Sequence, residues 1–311
     1  MSPIQSLITK QSRETQTLPF DVTLLDHLSL DPQEVSIQKL NSFSNDNYLV
    51  NQAFVVRLTS PETNQLNARK TEEINLKKAC LEKFCPLEIV YFNTESGTLI
   101  SKFLKDYQVL TFPILKKEKF LEKAARLIKK IHQSSLKFDN EFQIDQRLKI
   151  ASQKLALPDE ITCLIKPLQK AFDQRNKSLF HSICCHNDLS PENFVKDHQE
   201  NLFLIDWESA GLNDAAWDIA FLCALLLLDE KQENQIRKFY ASEDLLFKDK
   251  VLFFKPFIHM GSILWAYEQM QQATPKLPLD FIQSIYFQRI QEVKQILASQ
   301  EYFHACHQLS Q

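Results

Sequence analysis

The chain has 311 residues, 44% hydrophobic and 24% charged, a composition typical of a globular protein with about two domains or lobes. Its net charge of −3 argues against binding to nucleic acid or to an anionic membrane surface. The N-terminus has no signal-peptide core, and the apolar runs are too short to span a bilayer. We therefore expect a cytoplasmic protein without membrane insertion, and the sequence carries no signal for an oligomeric state.

Glycine is scarce, with only Gly97, Gly211 and Gly261, whereas about twenty would follow from a typical usage near 7%. The sequence therefore excludes a glycine-rich phosphate loop and a dinucleotide-binding fingerprint. Any nucleotide must be held by other groups. The seven cysteines are an odd number and are expected to be reduced thiols.

The first third of the chain predicts a small sheet. A short helix near 24–28 precedes it, and a second helix from about Arg69 to Leu81 follows its first strands. A turn at Asn93–Gly97 joins the last two strands as a hairpin. The predicted strands span 35–40, 48–50, 53–58, 87–92 and 98–104.

From Pro113 onward the apolar residues recur at helical spacing. Residues 143–180 predict helices bounded by Pro158 and Pro167. Further helices are predicted at about 215–228, 231–241, 250–272 and 279–300. The whole pattern predicts an α+β fold with a small antiparallel-sheet lobe at 1–105 and a larger, mostly helical lobe at 106–311.

The stretch at 181–220 contains three polar residues of interest, Asp188, Asn193 and Asp206. The apolar segments 194–196 and 202–205 flank a polar turn and predict a hairpin. Antiparallel pairing would bring Asn193 and Asp206 to one end of this hairpin, with Asp188 beside them. Carboxylate and amide oxygens suit Mg²⁺. The alternative is a buried loop with three satisfied polar residues.

The order of these residues also matches a phosphoryl-transfer site. Kinases place an Asp at the acceptor hydroxyl, an Asn on the metal shortly after it, and an Asp on the metal after a hairpin. Asp188 would then orient the hydroxyl and accept its proton, and Asn193 and Asp206 would hold Mg²⁺ against the phosphates. ATP and Mg²⁺ are the predicted cofactors.

The segment CHNDLSPENF…LFLIDWESAGLNDAAWDIA resembles the choline/ethanolamine kinase family, most closely the bacterial choline kinases. Residues 44–50, SNDNYLV, and 131–142, IHQSSLKFDNEF, resemble the same family, so the resemblance covers roughly residues 35–300. This family belongs to the aminoglycoside-phosphotransferase-like group. The resemblance implies a bilobal, protein-kinase-like fold and ATP- and Mg²⁺-dependent phosphorylation of choline, with ethanolamine as a poorer substrate.

The resemblance also implies where the nucleotide binds. Arg57 would contact the phosphates where protein kinases use lysine, and Glu72, in the family's RxxE pattern, would orient its guanidinium. Backbone atoms near Lys102 and Leu104 would bind adenine, and the 44–47 loop would line the phosphates. The implied nucleotide-binding residues are Ser44, Asn45, Asn47, Arg57, Glu72, Lys102 and Leu104.

The implied substrate is a small amino alcohol, with its hydroxyl at Asp188 and its cationic head held elsewhere. The family's DxE element places Glu208 near that head, and aromatic faces attract quaternary ammonium groups. The candidate substrate-binding residues are Asp188, Glu208, Trp265 and Tyr286, with Tyr267 and Phe287 weaker. Where the family often has a second tryptophan this chain has Ser262, which favours a smaller amino alcohol such as ethanolamine.

Two other functions compete with choline phosphorylation. A related kinase for thiamine or an aminoglycoside shares parts of the central motif, and a non-catalytic binding module could retain the fold. The intact set of Asp188, Asn193 and Asp206 argues against the binding module. In the kinase-like fold Asp218 would support the backbone of the catalytic loop, a structural role.

Overall fold

The computed structural model describes residues 18–40, 45–59, 66–272, 275 and 277–311. Five antiparallel strands form the N-terminal sheet in the spatial order β1-β2-β3-β5-β4, and one helix, α1 (Leu66–Leu81), connects the third strand to the fourth. The strands are β1 (Ile37–Leu40), β2 (Asp46–Val50), β3 (Phe54–Leu58), β4 (Ile89–Phe92) and β5 (Leu99–Lys102). All five predicted strands, and the helix predicted from about Arg69 to Leu81, are therefore present.

One face of this sheet has its own small core. A 3₁₀ helix, Val22–Leu28, begins at Asp21, whose carboxylate accepts the N–H of Thr23, and it buries Leu25 against the sheet. The sheet contributes Tyr48, Val50, Val56 and Ile100 to this cluster. Phe54, Val56 and Leu58 of β3 face this cluster, which leaves Arg57 on the opposite face, toward α1.

The rest of the chain is mostly helical. The long helix α8 is buried along much of its length and packs against α6, α9 and α10. Among the described residues, no helix is both long and apolar enough to cross a bilayer. The helices are α2 (Phe112–Leu115), α3 (Glu118–His132), α4 (Ile144–Lys154), α5 (Asp159–Gln174), α6 (Ala215–Leu225), α7 (Glu230–Tyr240), α8 (Phe247–Gln271), α9 (Leu279–Ala298) and α10 (Gln300–Gln308).

The predicted helix boundary at Pro167 is wrong, because α5 continues through this residue. Proline in a helix interior removes a hydrogen bond and disfavours the helix by roughly 3 kcal/mol. Pro167 lies on the exposed face of α5, while Leu164, Ile165 and Leu168 bury the opposite face in the core. The tertiary packing of that face outweighs the local preference.

Two small sheets position the residues between the lobes. One contains β6 (Gln108–Val109), β8 (Phe194–Lys196) and β9 (Leu202–Leu204), and the other pairs β7 (Ser182–Cys185) with β10 (Gly211–Asp214). The β8–β9 hairpin was predicted. The β7–β10 pair was not, because these short segments lack a period-two apolar pattern.

Candidate active site

The β8–β9 hairpin brings Asn193 and Asp206 to the same end, as predicted. Phe194 pairs with Leu204, and the Ile205 N–H continues the ladder by donating to the Asn193 carbonyl at 2.9 Å. A 3₁₀ turn at Pro191–Asn193 keeps the preceding loop compact. Asn193 then donates its Nδ2–H to the backbone carbonyl of Asp188 at 3.0 Å, which holds Asp188 in the same patch.

Asp206 lies in a strained and crowded position. Its φ of 62° is in the left-handed region, which a non-glycine residue seldom adopts. Burial and the neighbouring charge of Glu208 raise the pKa of Asp206 well above its ordinary value, and Arg57 opposes this only in part. The side chain is nevertheless 26% exposed, so a cation from solvent can reach it.

Arg57 connects the sheet to the carboxylates of Asp206 and Glu208, which we call the acidic patch. Its guanidinium is bonded to Glu72 on α1 and donates to Asp206 Oδ1 at 3.3 Å, with Glu208 Oε2 4.0 Å away. Burial disfavours the charged guanidinium, but these three carboxylates outweigh it and raise the pKa of Arg57. The predicted pairing of Arg57 with Glu72 is confirmed, and both side chains are buried.

Asp218 supports the backbone of the loop that carries Asp188. Its Oδ2 accepts the backbone N–H of His186 at 3.0 Å, and its Oδ1 accepts that of Asn187 at 2.8 Å. His132 Nε2 lies 2.9 Å from Oδ2, and His132 Nδ1 lies 2.8 Å from the Tyr240 hydroxyl. Asp218 thus has the structural position expected of it, because it bonds the backbone of Asn187, the residue directly before Asp188.

His132, Cys185 and Asp218 come close enough to resemble a metal site. The oxygens of Asp218, however, already accept two backbone N–H groups and the imidazole. Burial raises the pKa of the Cys185 thiol well above its ordinary value, which disfavours a thiolate ligand. This group therefore supports the loop rather than holding a metal.

Asn187 contributes to the same loop and was missed in the sequence. Its φ is 66°, and its Nδ2 donates to the carbonyls of Ser209 at 3.1 Å and Gly211 at 3.3 Å. Its Oδ1 accepts from Asn213 Nδ2 at 2.9 Å. Asparagine tolerates the left-handed region better than most other non-glycine residues, so its place directly before Asp188 was an available signal.

The three residues at 44–47 that the resemblance implies as phosphate contacts differ in their positions. Asn45 is buried, and its Nδ2 lies 3.4 Å from Glu208 Oε2, directly over the acidic patch. Asn47 lies opposite Arg57 in the β2–β3 register. Ser44 lies outside the described residues.

The backbone after β5 has a free N–H donor at Leu104, where adenine could bind. The Lys102 N–H donates to Glu88 at 2.9 Å, and the Phe103 N–H donates to Ala53 at 2.7 Å. In the described part of the chain, the Leu104 N–H donates to no protein acceptor. The Lys102 side chain is exposed and pairs with Glu88 at 2.5 Å, so any role of Lys102 belongs to its backbone.

The candidate substrate residues lie on different elements of the fold. Glu208 lies next to Asn45 and Arg57 of the N-terminal sheet region. Trp265 is half-buried on α8 against the main core. Tyr286, on α9, is buried with its ring centroid 6.2 Å from that of Tyr267 and 5.3 Å from that of Phe287.

The acidic patch has the chemistry of a magnesium site. Asp206 and Asn193 would offer only oxygen ligands to a metal ion, and Asn193 Oδ1 accepts no hydrogen bond within the described residues. Burial first, and then the nearby carboxylates of Glu208, Asp188 and Glu72, raise the pKa of Asp206, and Arg57 offsets this only in part. A divalent cation would offset the remaining repulsion. The residues present therefore fit Mg²⁺.

The sequence matches the phosphotransferase enzyme family over residues 36–246, which is more than half of the chain. The chain belongs to this family. The match begins just before the first strand of the sheet and includes Arg57, Glu72 and the whole β8–β9 hairpin. As a member of the phosphotransferase enzyme family, the protein is an enzyme that transfers a phosphoryl group to an alcohol acceptor.

Several known proteins are similar to this phosphotransferase. The protein LicA of Haemophilus influenzae is 26% identical over 231 residues, which cover 69% of this chain and 67% of that protein. The crystal structure of choline kinase LicA from Streptococcus pneumoniae is 21% identical and superposes with a TM-score of 0.71 over 89% of this chain and 96% of that one. A LicA structure in complex with AMP gives a TM-score of 0.72 at 22% identity, over 88% and 96%. These superpositions confirm the expected protein-kinase-like α+β fold.

Proposed function

We propose that this phosphotransferase uses ATP and Mg²⁺ to phosphorylate the hydroxyl of choline, with ethanolamine as a poorer substrate. The observation that carries the proposal is the meeting of Asp188, Asn193 and Asp206 beneath the buried Arg57–Glu72 pair. A site built for phosphoryl transfer needs this combination of positioning and charge neutralisation, and little covalent chemistry from the protein.

Asp188 is the proposed base for the acceptor hydroxyl. Ser190 Oγ donates to Asp188 Oδ1 at 2.6 Å, which fixes the carboxylate and leaves Oδ2 for the substrate. As the alcohol oxygen forms its bond to the terminal phosphorus, the bond from phosphorus to ADP breaks and the hydroxyl proton passes to Asp188. Product release then returns that proton to solvent.

Charge on the phosphate chain is the second requirement. Arg57 would contact the phosphates, and Glu72 keeps its guanidinium oriented. Asn193 and Asp206 would hold Mg²⁺, which when bound neutralises charge on the phosphates. Asn45, next to Glu208, and Asn47, opposite Arg57 on β2, would line the phosphates, and the free Leu104 N–H would bind adenine. The nucleotide would thus lie between the proposed lobes 1–105 and 106–311.

The choice of choline draws on similarity rather than on geometry. LicA of Haemophilus influenzae is one similar protein, and the structure of LicA from Streptococcus pneumoniae is that of a choline kinase. Trp265 and the cluster of Tyr286 and Tyr267 supply aromatic faces of the kind that attract a quaternary ammonium group. Glu208 would contribute negative charge from the nucleotide side.

A coupled assay of ADP release tests this proposal. The purified protein is incubated with ATP and Mg²⁺ and a panel of choline, ethanolamine, thiamine and kanamycin, with no acceptor as the blank. The proposal expects the highest kcat/KM with choline and a lower value with ethanolamine. A preference for thiamine or kanamycin would show that the protein is a different kinase of the same family. If none of the four acceptors gives ADP release above the blank, the proposal is contradicted.

A further inference from the structure

Ala210, four residues after Asp206, has a backbone carbonyl that accepts two side-chain donors. Asn140 Nδ2 donates to it at 2.8 Å and Asn75 Nδ2 at 3.0 Å. Asn75 Nδ2 also donates to Asn140 Oδ1 at 2.9 Å, so the two amides are bonded to each other as well. Asn75 is only 1% exposed, and an amide at this depth needs these partners.

The neighbouring carbonyls are held from the other side. Asn187 Nδ2 donates to the carbonyls of Ser209 and Gly211, one residue on each side of Ala210. We call Asn75, Asn140 and Asn187, with the carbonyls of residues 209–211, the carbonyl clamp. Three consecutive carbonyls are thus bonded by side chains from three different parts of the chain.

Backbone contacts leave little freedom around the clamp. The Leu212 N–H donates to the Asn140 carbonyl at 2.7 Å. A Cβ added to Gly211 would lie 2.6 Å from Asn140 Nδ2 and 3.0 Å from the Asn140 carbonyl oxygen. Only glycine allows the segment to approach Asn140 this closely, which gives one of the chain's three glycines a specific role.

The clamp joins the elements that carry the proposed chemistry. Asn75 lies on α1 one turn after Glu72, so both residues share a face of that helix. Asn187 directly precedes Asp188, and the clamped carbonyls follow Asp206 and Glu208. A displacement of α1 would therefore break the hydrogen bonds to the Ala210 carbonyl. It would leave buried polar groups without partners, which costs free energy of folding.

We propose that Asn75 and Asn140 are positioning residues that hold α1 against the segment after Asp206 and so keep the Arg57–Glu72 pair in register with Asp188. Neither residue touches substrate in this account. The inference rests on the proposed function, because register matters only if phosphate lies between Arg57 and Asp206. It predicts that the clamp acts on turnover and nucleotide binding more than on recognition of the alcohol.

Alanine variants of the two residues test the proposal. Asn75→Ala and Asn140→Ala should each lower kcat at least tenfold and weaken the Kd for MgATP, while the KM for choline changes less than twofold. Losses of this size are expected when reacting groups move by a fraction of an ångström to 1 Å. The double variant should be little worse than either single one, because the two amides act as one unit.

Leu76→Ala is the matched control on the same helix. Leu76 is buried in the main core and lies outside the clamp, so its truncation should lower Tm at least as much as Asn75→Ala. Assayed well below its Tm, Leu76→Ala should keep a kcat within about twofold of wild type. Hydrogen exchange adds a readout independent of activity: the amides of residues 209–212 should exchange faster in both asparagine variants and at the wild-type rate in Leu76→Ala.

The possible results separate two failures. If Asn75→Ala and Asn140→Ala lose only Tm, with kcat and the exchange of 209–212 unchanged, the clamp has no positioning role. If wild type phosphorylates none of the tested alcohols, the proposed function fails, and MgATP affinity and hydrogen exchange still decide on the clamp. Gly211→Ala would push a Cβ against Asn140 from within the clamp. It should repeat the exchange phenotype, and unchanged exchange of residues 209–212 in this variant would count against the clamp.

Discussion

Asp218 accepts the backbone N–H of Asn187 at 2.8 Å, which places a buried carboxylate directly beneath the residue that precedes Asp188. Burial alone would raise the pKa of Asp218, but hydrogen bonds and charge from His132 and His186 lower it below its ordinary value. The folded protein therefore favours the ionised carboxylate, and the orientation of the catalytic loop depends on it.

Asp218→Asn should lower kcat by about a hundredfold through displacement of Asp188. It should also change how the free energy of unfolding depends on pH at acid pH. A group whose folded pKa is depressed contributes stability above its unfolded value, about 3.9 for Asp, and loses it as the pH falls toward the folded pKa. Urea unfolding should therefore show wild type more stable than Asp218→Asn at pH 7, with the difference shrinking below about pH 4.

Asp139→Asn is the control for this comparison, because that carboxylate is 88% exposed. Its stability difference from wild type should stay small at every pH, since exposed ion pairs contribute about 0 to 1 kcal/mol. A difference between wild type and Asp218→Asn that is constant from pH 7 to pH 3 would show that the carboxylate charge is not what stabilises the loop.

The Arg57–Glu72 pair should act as a unit. Arg57→Ala should weaken ATP binding and slow transfer, and Glu72→Ala should do the same more mildly because Asp206 still bonds the guanidinium. The double variant should be little worse than Arg57→Ala alone. Steady-state kinetics and calorimetric titration with MgATP measure both effects, and strictly additive losses would show that Glu72 does not work through Arg57.

Asp206→Ala should abolish the metal dependence of nucleotide binding. In wild type, Mg²⁺ should tighten binding of a non-hydrolysable ATP analogue, because Asp206 and Asn193 would hold the cation and its charge would offset that of the phosphates. In the variant, the Kd should be the same with and without Mg²⁺. Retention of the full Mg²⁺ effect by Asp206→Ala would remove Asp206 from the metal site.

Trp265→Ala should raise the KM for choline more than the KM for ethanolamine. A quaternary head has no N–H donors and gains mainly from aromatic faces, by about 0.5 to 2 kcal/mol per contact. Glu208→Ala should impair both alcohols, because its position beside Arg57 also affects the nucleotide. Phe303→Ala, at an exposed residue of α10, is the aromatic control. A Trp265→Ala enzyme with an unchanged KM for choline would exclude Trp265 from the substrate site.

Much of the architecture could be predicted because it follows from local patterns. The five strands follow from short apolar runs bounded by polar turns, and helices such as α3 follow from apolar residues at helical spacing. The hairpin between Asn193 and Asp206 likewise follows from two apolar runs around a polar turn. The Pro167 boundary failed because buried contacts on one face of α5 decide that helix, and local propensity cannot register them.

The site itself could be predicted only in part. Arg57 and Glu72 came from a family pattern, and the structure joins them. The position of Glu208 beside Arg57 and Asn45 depends on how the sheet lies over the hairpin, which no local pattern encodes. The carbonyl clamp is equally non-local, since Asn75, Asn140 and Ala210 are far apart in the chain and meet only in the folded protein.

The central claim is that Asp188 activates the hydroxyl of choline for attack on ATP. Phosphorus NMR of a reaction with ATP, Mg²⁺ and choline measures this directly, with wild type and Asp188→Asn compared at equal MgATP saturation. We predict that wild type forms phosphocholine and ADP in equal amounts, and that Asp188→Asn binds ATP normally but retains less than about a tenth of the wild-type kcat, a loss above about 1.4 kcal/mol. Phosphocholine formation by Asp188→Asn at a near wild-type rate, or its absence with wild type, would contradict the account.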